Sequence, residues 1–446
     1  MPATPTVIRC ARGWAVPGVA NLHSHAFQRA MAGMAERQTN PADSFWTWRE
    51  TMYAMAARFD PDLLQAVATQ LYVEMLEAGY TRVCEFHYLH HAPDGTPYAA
   101  ADAMSVALIA AARASGIRIT LLPVVYMRGG FDGRALGDRQ RRFGLDVDTW
   151  LQLFHGLRRH ESETVRIGCA LHSLRAVPRE AMHEVLAALP ADTRIHIHIA
   201  EQQAEVDECI AVHGARPVRW LLDHASVDER WTLVHATHLD AEELQGIASS
   251  GATVAICPST EANLGDGLFP LRAYLDVGLS RATNLQESGA DGRVAGASRP
   301  GAGIPAEGSP DARGFWGIGS DSHASVSPVE ELRWLEYGQR LATRQRNIAV
   351  TEDTPSVGET LLHGTQRSAA RSTGFTGEDL VVLDDSAPIL AGAHAGDVVD
   401  RWIFSGNRPL VRDVEVAGMR VVEDGRHRNR DAIAARYRAA LQRLLA

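Results

Sequence analysis

The sequence predicts an α/β fold, a (β/α)8 barrel of the TIM type joined to a small β domain. From Val19 to Ser322, short apolar runs rich in β-branched residues alternate with helix-like stretches. Eight such runs can be counted, the number that closes a parallel barrel. The alternative, an open doubly wound sheet that binds a dinucleotide, would need a Gly-x-Gly-x-x-Gly turn after an early strand, and none of these runs is followed by one.

The predicted strands are short and bounded by turn-forming or helical segments. They are Val19–His23, Thr81–Tyr88, Ile117–Tyr126, Val165–His172, Arg194–Ala200, Trp231–Ala236, Thr253–Cys257 and Phe315–Gly319. In such a barrel the chemistry lies where strands end and loops begin. Residues at the carboxyl ends of these runs are therefore the candidates for function.

The helices between the strands carry recognisable end signals, most clearly in Asp60–Ala78. Asp60 can accept hydrogen bonds from the free amides, Pro61 suits the first helical position, and Gly79 stops the helix. Another helix is predicted to begin after Ser327.

Two segments depart from the alternation. Asn284–Gly314 has seven Gly, three Pro and no aromatic residue, which predicts a flexible, poorly ordered insertion on the face away from the site. The β-like pieces beyond Asp379, together with Val7–Val16, predict the small β domain; they are Leu380–Leu383, Val398–Phe404, Val411–Val416 and Met419–Val422. The predicted boundaries are 17–378 for the barrel with 284–314 inserted, 1–16 plus 379–430 for the β domain, and 431–446 for a C-terminal helix.

Composition excludes several classes of function. The chain has 446 residues, 46% of them hydrophobic and 22% charged, with a net charge of -10, which argues against nucleic acid or an anionic membrane as a partner. All 44 residues counted as Lys or Arg are Arg. The absence of lysine rules out a Schiff-base lysine, a P-loop lysine and a carbamylated lysine that bridges two metals.

Cysteine spacing points to a reducing compartment. The five cysteines, Cys10, Cys84, Cys169, Cys209 and Cys257, lie too far apart for a disulfide framework or a zinc knuckle. Residues 1–17 lack the apolar core of a signal peptide, and no apolar run approaches the ~18 residues of a membrane span. These features predict a cytoplasmic protein.

Histidines at strand ends supply the first chemical signals. His23 and His25 follow the first strand with one residue between them, so their side chains point to the same side and can reach one ion. Such pairs also arise by chance in a chain with 19 histidines. In the fifth strand, periodicity allows either His196 or His198 to be a ligand; His198 is nearer the carboxyl end, and His196 can equally be a core histidine.

Two further signals follow later strands. His235 ends a strand. Asp321 lies within Gly317–His323, after small residues that allow its carboxylate to approach a metal. His323 fits better as a supporting residue or as the entry to a helix. Any one of these four signals could be explained by a purely structural role. No single structural role explains all four at the ends of barrel strands.

This pattern resembles the metal-dependent amidohydrolase superfamily over most of the chain. Three longer runs are similar to the formimidoylglutamate deiminase family within it: Gly18–Gly33, Cys257–Gly267 and Gly317–His323. The resemblance implies one divalent metal ion, usually zinc, held by His23, His25, His198 and Asp321. The absence of a bridging lysine agrees with a single ion.

The resemblance also implies a reaction. It is the hydrolysis of N-formimidoyl-L-glutamate to N-formyl-L-glutamate and ammonia in histidine degradation, by attack of a metal-bound hydroxide. Glu201, His235 and Asp321 are implied as the catalytic residues that hold the water and transfer protons.

The residues implied to contact the dicarboxylate substrate all follow predicted strands. A guanidinium group binds a carboxylate with two parallel hydrogen bonds, which suits such a substrate. Alternatively, Arg49 stacks on the surface beside Trp46 and Trp48, and Tyr88 caps the core. The implied contacts are Gln28, Arg49, Tyr88, His172 and Arg175.

Two other functions remain open at this point: a deaminase of a purine or pyrimidine, expected to favour aromatic stacking over arginines, and a non-catalytic scaffold. A homodimer is expected because relatives often form one. Only 22 residues precede His23, fewer than in the resembling family, so the small β domain is expected to be truncated at its N-terminus.

Overall fold

A closed ring of parallel strands forms the centre of the protein, whose computed structural model describes residues 7–37, 45–277, 314–352 and 354–446. The strands are β1 (Ile8–Cys10), β2 (Gly13–Pro17), β3 (Val19–Ser24), β4 (Tyr80–His87), β5 (Arg118–Val125), β6 (Val165–Ile167), β7 (Cys169–Leu171), β8 (Ile195–Ile199), β9 (Trp231–His235), β10 (Thr253–Ile256), β11 (Phe315–Ile318), β12 (Leu380–Leu383), β13 (Val411–Val416), β14 (Met419–Glu423) and β15 (Arg426–His427).

Helices surround this ring. They are α1 (Phe45–Ala56), α2 (Pro61–Ala78), α3 (Ala103–Ser115), α4 (Val147–Leu157), α5 (Arg179–Ala188), α6 (Gln203–His213), α7 (Pro217–His224), α8 (Ala241–Ser250), α9 (Pro258–Leu264), α10 (271–277), α11 (Pro328–Thr343), α12 (Val357–Thr373), α13 (Val398–Phe404) and α14 (Arg430–Leu445). Short 3-10 helices at Ala26–Met31 and Asp138–Phe143 lie in the connections. Among the described helices, none is both long enough and apolar enough to cross a lipid bilayer.

The predicted barrel is confirmed. Each of the eight predicted runs contains a strand, and parallel pairing runs from β3 through β11 and back to β3, where Ile318 lies opposite Asn21. The fourth run is divided into β6 and β7 at Gly168. A Cβ atom at position 168 would lie 2.6 Å from the Leu122 side chain and 2.9 Å from the carbonyl oxygen of Arg194. The close approach of the neighbouring strands therefore requires glycine here.

The end signals of α2 behave as predicted. The Asp60 carboxylate accepts a hydrogen bond from the amide of Leu63 at 2.7 Å, and Gly79 ends the helix with φ at +108°. That left-handed conformation is costly for any residue with a Cβ, and it turns the chain directly into β4.

A separate antiparallel sheet is formed by strands from both ends of the chain. Its strand order is β1-β2-β12-β13-β14-β15. The prediction of a strand at Val398–Phe404 is wrong, because these residues form α13. Val398, Val399, Trp402 and Ile403 are buried, and their spacing places them on one face of a helix that packs against α11 and α12. Burial of that face outweighs the strand propensity of its β-branched and aromatic residues.

Buried ion pairs join this sheet to the amino end of the barrel. Asp379, next to β12, accepts from Arg82 at 2.9 Å and from Arg118 at 3.0 Å, and it also accepts the amide of Ala417 at 3.0 Å. The predicted flexible insertion at 284–314 lies outside the described residues except for Gly314. All five cysteines are free thiols.

Candidate active site

The carboxyl ends of three barrel strands bring the four predicted metal ligands together. His23 is in β3 and His25 follows it, His198 is in β8, and Asp321 follows β11. All four side chains are buried. His196, on the same strand as His198, instead contacts helix α12, where its Nε2 donates to the carbonyl oxygen of Ser372 at 3.1 Å.

The ligand atoms face one another at short range. Nε2 of His23 lies 3.2 Å from Nε2 of His25 and 3.0 Å from Nε2 of His198. Oδ1 of Asp321 lies 3.3 Å from Nε2 of both His23 and His25. Two ligands about 2.1 Å from one zinc ion, at angles of 90 to 109°, are roughly 3.0 to 3.4 Å apart. The spacing of His23, His25 and Asp321 therefore fits one small cation, and His198 approaches the same point through its contact with Nε2 of His23.

Hydrogen bonds on the far side of two rings strengthen this conclusion. Nδ1 of His25 donates to the carbonyl oxygen of Phe86 at 2.8 Å, and Nδ1 of His198 donates to the carbonyl oxygen of His172 at 3.0 Å. When Nδ1 carries the hydrogen, a neutral ring presents a lone pair at Nε2. Burial lowers the pKa of both rings, which favours the neutral form. The lone pairs of His25 and His198 both face Nε2 of His23. Lone pairs that face one another repel, unless a cation lies between them and binds all three nitrogens.

The backbone at this rim adopts a conformation that side chains disfavour. Five residues here have positive φ although none is glycine: Ala200, His235, Ala236, Asp321 and His323, with φ between +44° and +67°. Such conformations cost on the order of 1 to 3 kcal/mol each, and they persist where the surrounding structure imposes them. Asp321 and His235 are two of these residues, and their side chains face each other at the cluster.

The predicted proton-transfer residues lie beside the ligands. Nε2 of His235 is 3.7 Å from Oε1 of Glu201 and 3.8 Å from Oδ2 of Asp321. Burial raises the pKa of Glu201 to about 7 despite the opposing effect of His235. For His235, burial lowers the pKa, but Glu201 and hydrogen-bond partners raise it well above its usual value.

Two residues without a predicted role adjoin His235. Oε1 of Glu261, in the first turns of α9, lies 3.3 Å from Nδ1 of His235. Cys257, which precedes α9, is buried and belongs to a group of possible ligands with His235 and Asp321. Both belong to the motif Cys257–Gly267, so the sequence marked the segment without indicating which side chains reach the site.

A pocket of about 570 Å³, including its open mouth, leads from the surface to the ligand cluster. All five predicted substrate contacts line it, together with Glu201, His235 and Asp321. The predicted ligands His25 and His198 also line it, and the other lining residues, none of which was predicted to belong to the site, are Trp48, Met52, Tyr53, Tyr126, Phe143 and Leu264. Only Tyr126 could have been found by the strand-end rule, since it directly follows β5.

The pocket holds positive charge and open hydrogen-bonding groups. Within the described part of the chain, the guanidinium of Arg175 makes no hydrogen bond or ion pair. The guanidinium of Arg49 lies 5.3 Å from the ring centre of Tyr53, beside the pocket. Gln28 donates to the hydroxyl of Tyr88 at 3.1 Å, while its buried Oε1 has no partner. These groups suit an anionic ligand with hydrogen-bond donors.

His172 completes this wall. Its ring lies 5.2 Å from that of His198 and 4.3 Å from that of Tyr126. Burial lowers the pKa of His172, and nearby Arg175 lowers it further. His172 is therefore neutral at neutral pH, and its carbonyl oxygen also holds His198 in place.

Comparison with known proteins agrees with this geometry. A family model described as the amidohydrolase family matches residues 14–295. A formimidoylglutamate deiminase from Pseudomonas aeruginosa is 46% identical, over 97% of this chain and 90% of that protein. The crystal structure of an amidohydrolase from Brucella melitensis superposes with a TM-score of 0.86 at 43% identity, covering 97% of this chain and 90% of that one. An 8-oxoguanine deaminase from Pseudomonas aeruginosa is 27% identical over 60% of this chain and 59% of that protein.

Proposed function

The chain belongs to the amidohydrolase family, and from this premise we propose that it hydrolyses N-formimidoyl-L-glutamate to N-formyl-L-glutamate and ammonia in histidine degradation. The similarity to a formimidoylglutamate deiminase extends over nearly the whole chain, whereas similarity to other deaminases is lower.

The observation that carries the proposal is the guanidinium of Arg175, which has no partner among the described residues and lies in a pocket that ends at the ligand cluster. The substrate has two carboxylates, and arginine binds a carboxylate through two parallel hydrogen bonds. Arg175 and Arg49 are the proposed partners of these carboxylates. Gln28, Tyr88 and His172 are proposed to hydrogen-bond the rest of the substrate and to direct its formimidoyl group toward Glu201.

His23, His25, His198 and Asp321 would hold one divalent ion, for which zinc is the proposed identity because three imidazoles and one carboxylate suit it. When bound, zinc acts as a Lewis acid and lowers the pKa of water from 15.7 to about 7. The absence of lysine from the chain supports a single ion.

The chain's own residues then move the protons. His235 and Asp321 orient the attacking water and accept its proton, while the water oxygen bonds to the formimidoyl carbon. Glu201 delivers a proton to the imine nitrogen, which becomes an amino group. Glu201 then takes the proton of the new hydroxyl group and passes it to this amino group, so the carbon–nitrogen bond breaks, the formyl carbonyl forms and ammonia leaves. The water proton held by His235 and Asp321 returns to Glu201, and N-formyl-L-glutamate is the other product. The pKa of Glu201, raised to about 7, suits a group that takes up and releases a proton near neutral pH.

The aromatic side chains of the pocket favour a second candidate, the deamination of a purine or pyrimidine. Trp48, Tyr53, Tyr126 and Phe143 could stack on a flat ring. A neutral ring, however, offers no carboxylate to Arg49 and Arg175. We therefore place this activity second.

A substrate panel tests the proposal. Purified protein, with its metal content determined, is assayed for ammonia release from N-formimidoyl-L-glutamate, N-formimidoyl-glycine, guanine and cytosine. Release from the first compound alone is expected, because N-formimidoyl-glycine keeps the reacting group but lacks the side-chain carboxylate. Preference for guanine or cytosine would establish the second candidate instead. Absence of turnover with all four by metal-replete protein would contradict both.

The cytoplasmic location, the homodimer, and the lack of nucleic-acid or membrane partners rest on the sequence and on the resemblance, and they stay predictions.

A further inference from the structure

The motif Cys257–Gly267 lies beside the active site, yet the proposed reaction gives none of its residues a role. It directly follows β10 and comprises the helix α9 and the turn after it. Within it, the carboxylate of Glu261 is 3% exposed and faces away from solvent. A buried carboxylate is costly unless it is hydrogen-bonded, so its contacts indicate what it does.

One oxygen atom of Glu261 makes two contacts. Oε1 accepts the amide hydrogen of Cys257 at 2.8 Å and lies 3.3 Å from Nδ1 of His235. A carboxylate only accepts hydrogen bonds from such groups, so Nδ1 of His235 is the donor. The contact with the Cys257 amide fixes the position of Oε1, and Oε1 in turn restrains the ring of His235, which the Cys257 thiol also contacts.

This contact determines what the other side of the ring presents. With Nδ1 held as the donor to Glu261, the ring has its lone pair on Nε2 whenever His235 is neutral, and Nε2 is the atom that faces Glu201 and Asp321 at 3.7 and 3.8 Å. In the other tautomer Nε2 would carry a hydrogen and could not accept a proton from water. The backbone of His235 has φ at +67°, so its own conformation is strained and needs an external restraint.

We propose that Glu261 is a positioning residue that holds His235 in the Nδ1–H tautomer, with Nε2 directed at the reacting water. This inference rests on the proposed function, because it assigns Glu261 a task in the same proton transfer. Glu261 itself does not line the pocket, and among the described residues its side chain contacts His235 and Cys257 rather than the four proposed metal ligands.

A purely structural role must be separated from this one, since Glu261 also holds the start of α9. The chain offers a matched control in Glu331, a second buried carboxylate at the same helix end. Its oxygens accept the amide of Ser259 at 2.8 Å and the hydroxyl of Ser259 at 2.6 Å. Glu331 restrains α9 but has no contact with His235. A variant of Glu331 therefore reports the cost of weakening α9 alone.

The experiment compares wild-type protein, Glu261→Gln and Glu331→Gln in kcat, KM, zinc content and melting temperature, with N-formimidoyl-L-glutamate as substrate. The amide is equal in size to the carboxylate but is a weaker acceptor, and when flipped it presents a donor to Nδ1. We expect kcat of Glu261→Gln to fall about 10- to 100-fold, as for other partners that orient a functional histidine, with zinc retained. KM of Glu261→Gln should change less than about threefold, because substrate binding does not depend on the His235 tautomer. Likewise, kcat of Glu331→Gln should change less than about twofold, because Glu331 does not contact His235.

Three results would overturn the inference: wild-type kcat in Glu261→Gln, a loss of kcat in both variants that follows their melting temperatures, or loss of zinc in Glu261→Gln. If Glu261→Gln does not fold, Glu261→Asp replaces it. Its carboxylate is one methylene shorter, so a folded Glu261→Asp with wild-type kcat would equally contradict the inference. If wild-type protein itself does not release ammonia from this substrate, the proposed function fails, and the same comparison on whichever substrate is turned over still tests Glu261.

Discussion

The two ends of the barrel both bury charged side chains, but they treat them differently. At the amino end, Asp379 receives hydrogen bonds from Arg82, from Arg118 and from a backbone amide. Arg82 also donates to the carbonyl oxygen of Gly377 at 2.8 Å. At this end, the buried carboxylate and the two guanidinium groups form ion pairs, and these pairs join the barrel to the antiparallel sheet.

At the carboxyl end, polar atoms are left without protein partners. Nδ1 of His23, Oε1 of Gln28 and Oδ2 of Asp266 are buried and make no hydrogen bond, and Arg175 is unpaired within the described chain. Left-handed backbone at five non-glycine residues adds strain at the same rim. Buried atoms without partners also occur at the amino end, for example Nε of Arg82, so the two ends differ in the ion pairs of Asp379 and in the backbone strain around the ligand cluster.

The largest expected effect concerns the reactive end. Glu201→Gln should lower kcat about 10²- to 10⁴-fold, because it removes the group proposed to carry a proton to the imine nitrogen. Zinc content should not change. The melting temperature should stay the same or rise, since an amide replaces a carboxylate that burial disfavours. Kinetics, metal analysis and thermal unfolding check this, with the exposed Glu208→Gln on α6 as the control. Full turnover in Glu201→Gln would remove it from the mechanism.

The next effect concerns the stable end. Asp379→Asn leaves two buried guanidinium groups without a counter-charge, which should lower the free energy of unfolding by about 3 to 5 kcal/mol. The folded fraction should keep its kcat. Denaturant unfolding measures the loss, with Asp385→Asn as the control. Asp385 pairs with Arg9 in an exposed position, where an ion pair contributes less than about 1 kcal/mol. Equal losses in the two variants would contradict the division between the ends.

A smaller effect is expected for substrate recognition. Arg175→Met should reduce kcat/KM about 10- to 100-fold, mainly through KM, since it removes a charged hydrogen bond to a carboxylate without removing a protein contact. Arg166→Met is the control from the opposite end, where Arg166 stacks on Phe375 at 5.0 Å. That substitution should lower stability and leave KM unchanged. An unaltered KM in Arg175→Met would show that the free guanidinium does not bind substrate.

The smallest expected effect is the pH-dependent contribution to stability of His196, which lies on the same strand as the proposed ligand His198. Burial lowers the pKa of His196 to about 4, well below the 6.5 of an unfolded chain. The unfolded state therefore binds a proton first, so this contribution to stability is complete above pH 6.5 and is lost as pH falls toward 4. Between pH 7 and pH 5, wild-type protein should lose about 1 to 2 kcal/mol more than His196→Gln does. Denaturant unfolding at both pH values measures this difference; parallel losses would place His196 outside the acid response.

The sequence predicted the barrel because each parallel strand is buried on both faces, so its β-branched run is visible without any alignment. The strand predicted at Val398–Phe404 was wrong for a physical reason. Seven residues are too few for composition to reveal a helical period, and the burial of Trp402 and Ile403 depends on α11 and α12 lying alongside. The break at Gly168 depends likewise on the neighbouring strands.

Within the site, the strand-end rule located His23, His25, His198, His235 and Asp321, because parallel strands bring their carboxyl ends to one rim. It could not locate Glu261, which lies on α9 and reaches His235 only when β9 and β10 are paired. The aromatic wall was missed for a similar reason. Tyr53 is on α1, and only folding of that helix over the rim brings it to the pocket.

The pairing of β2 with β12 has a consequence for how the protein is made. Val16 lies opposite Val381, and the barrel itself closes only when β11 reaches β3. During synthesis β2 and β3 therefore leave the ribosome long before their second neighbours exist, and one edge of each strand stays open until the last third of the chain is translated. Such edges pair readily with other chains. Newly made protein should consequently depend on chaperones during translation far more than the finished enzyme does.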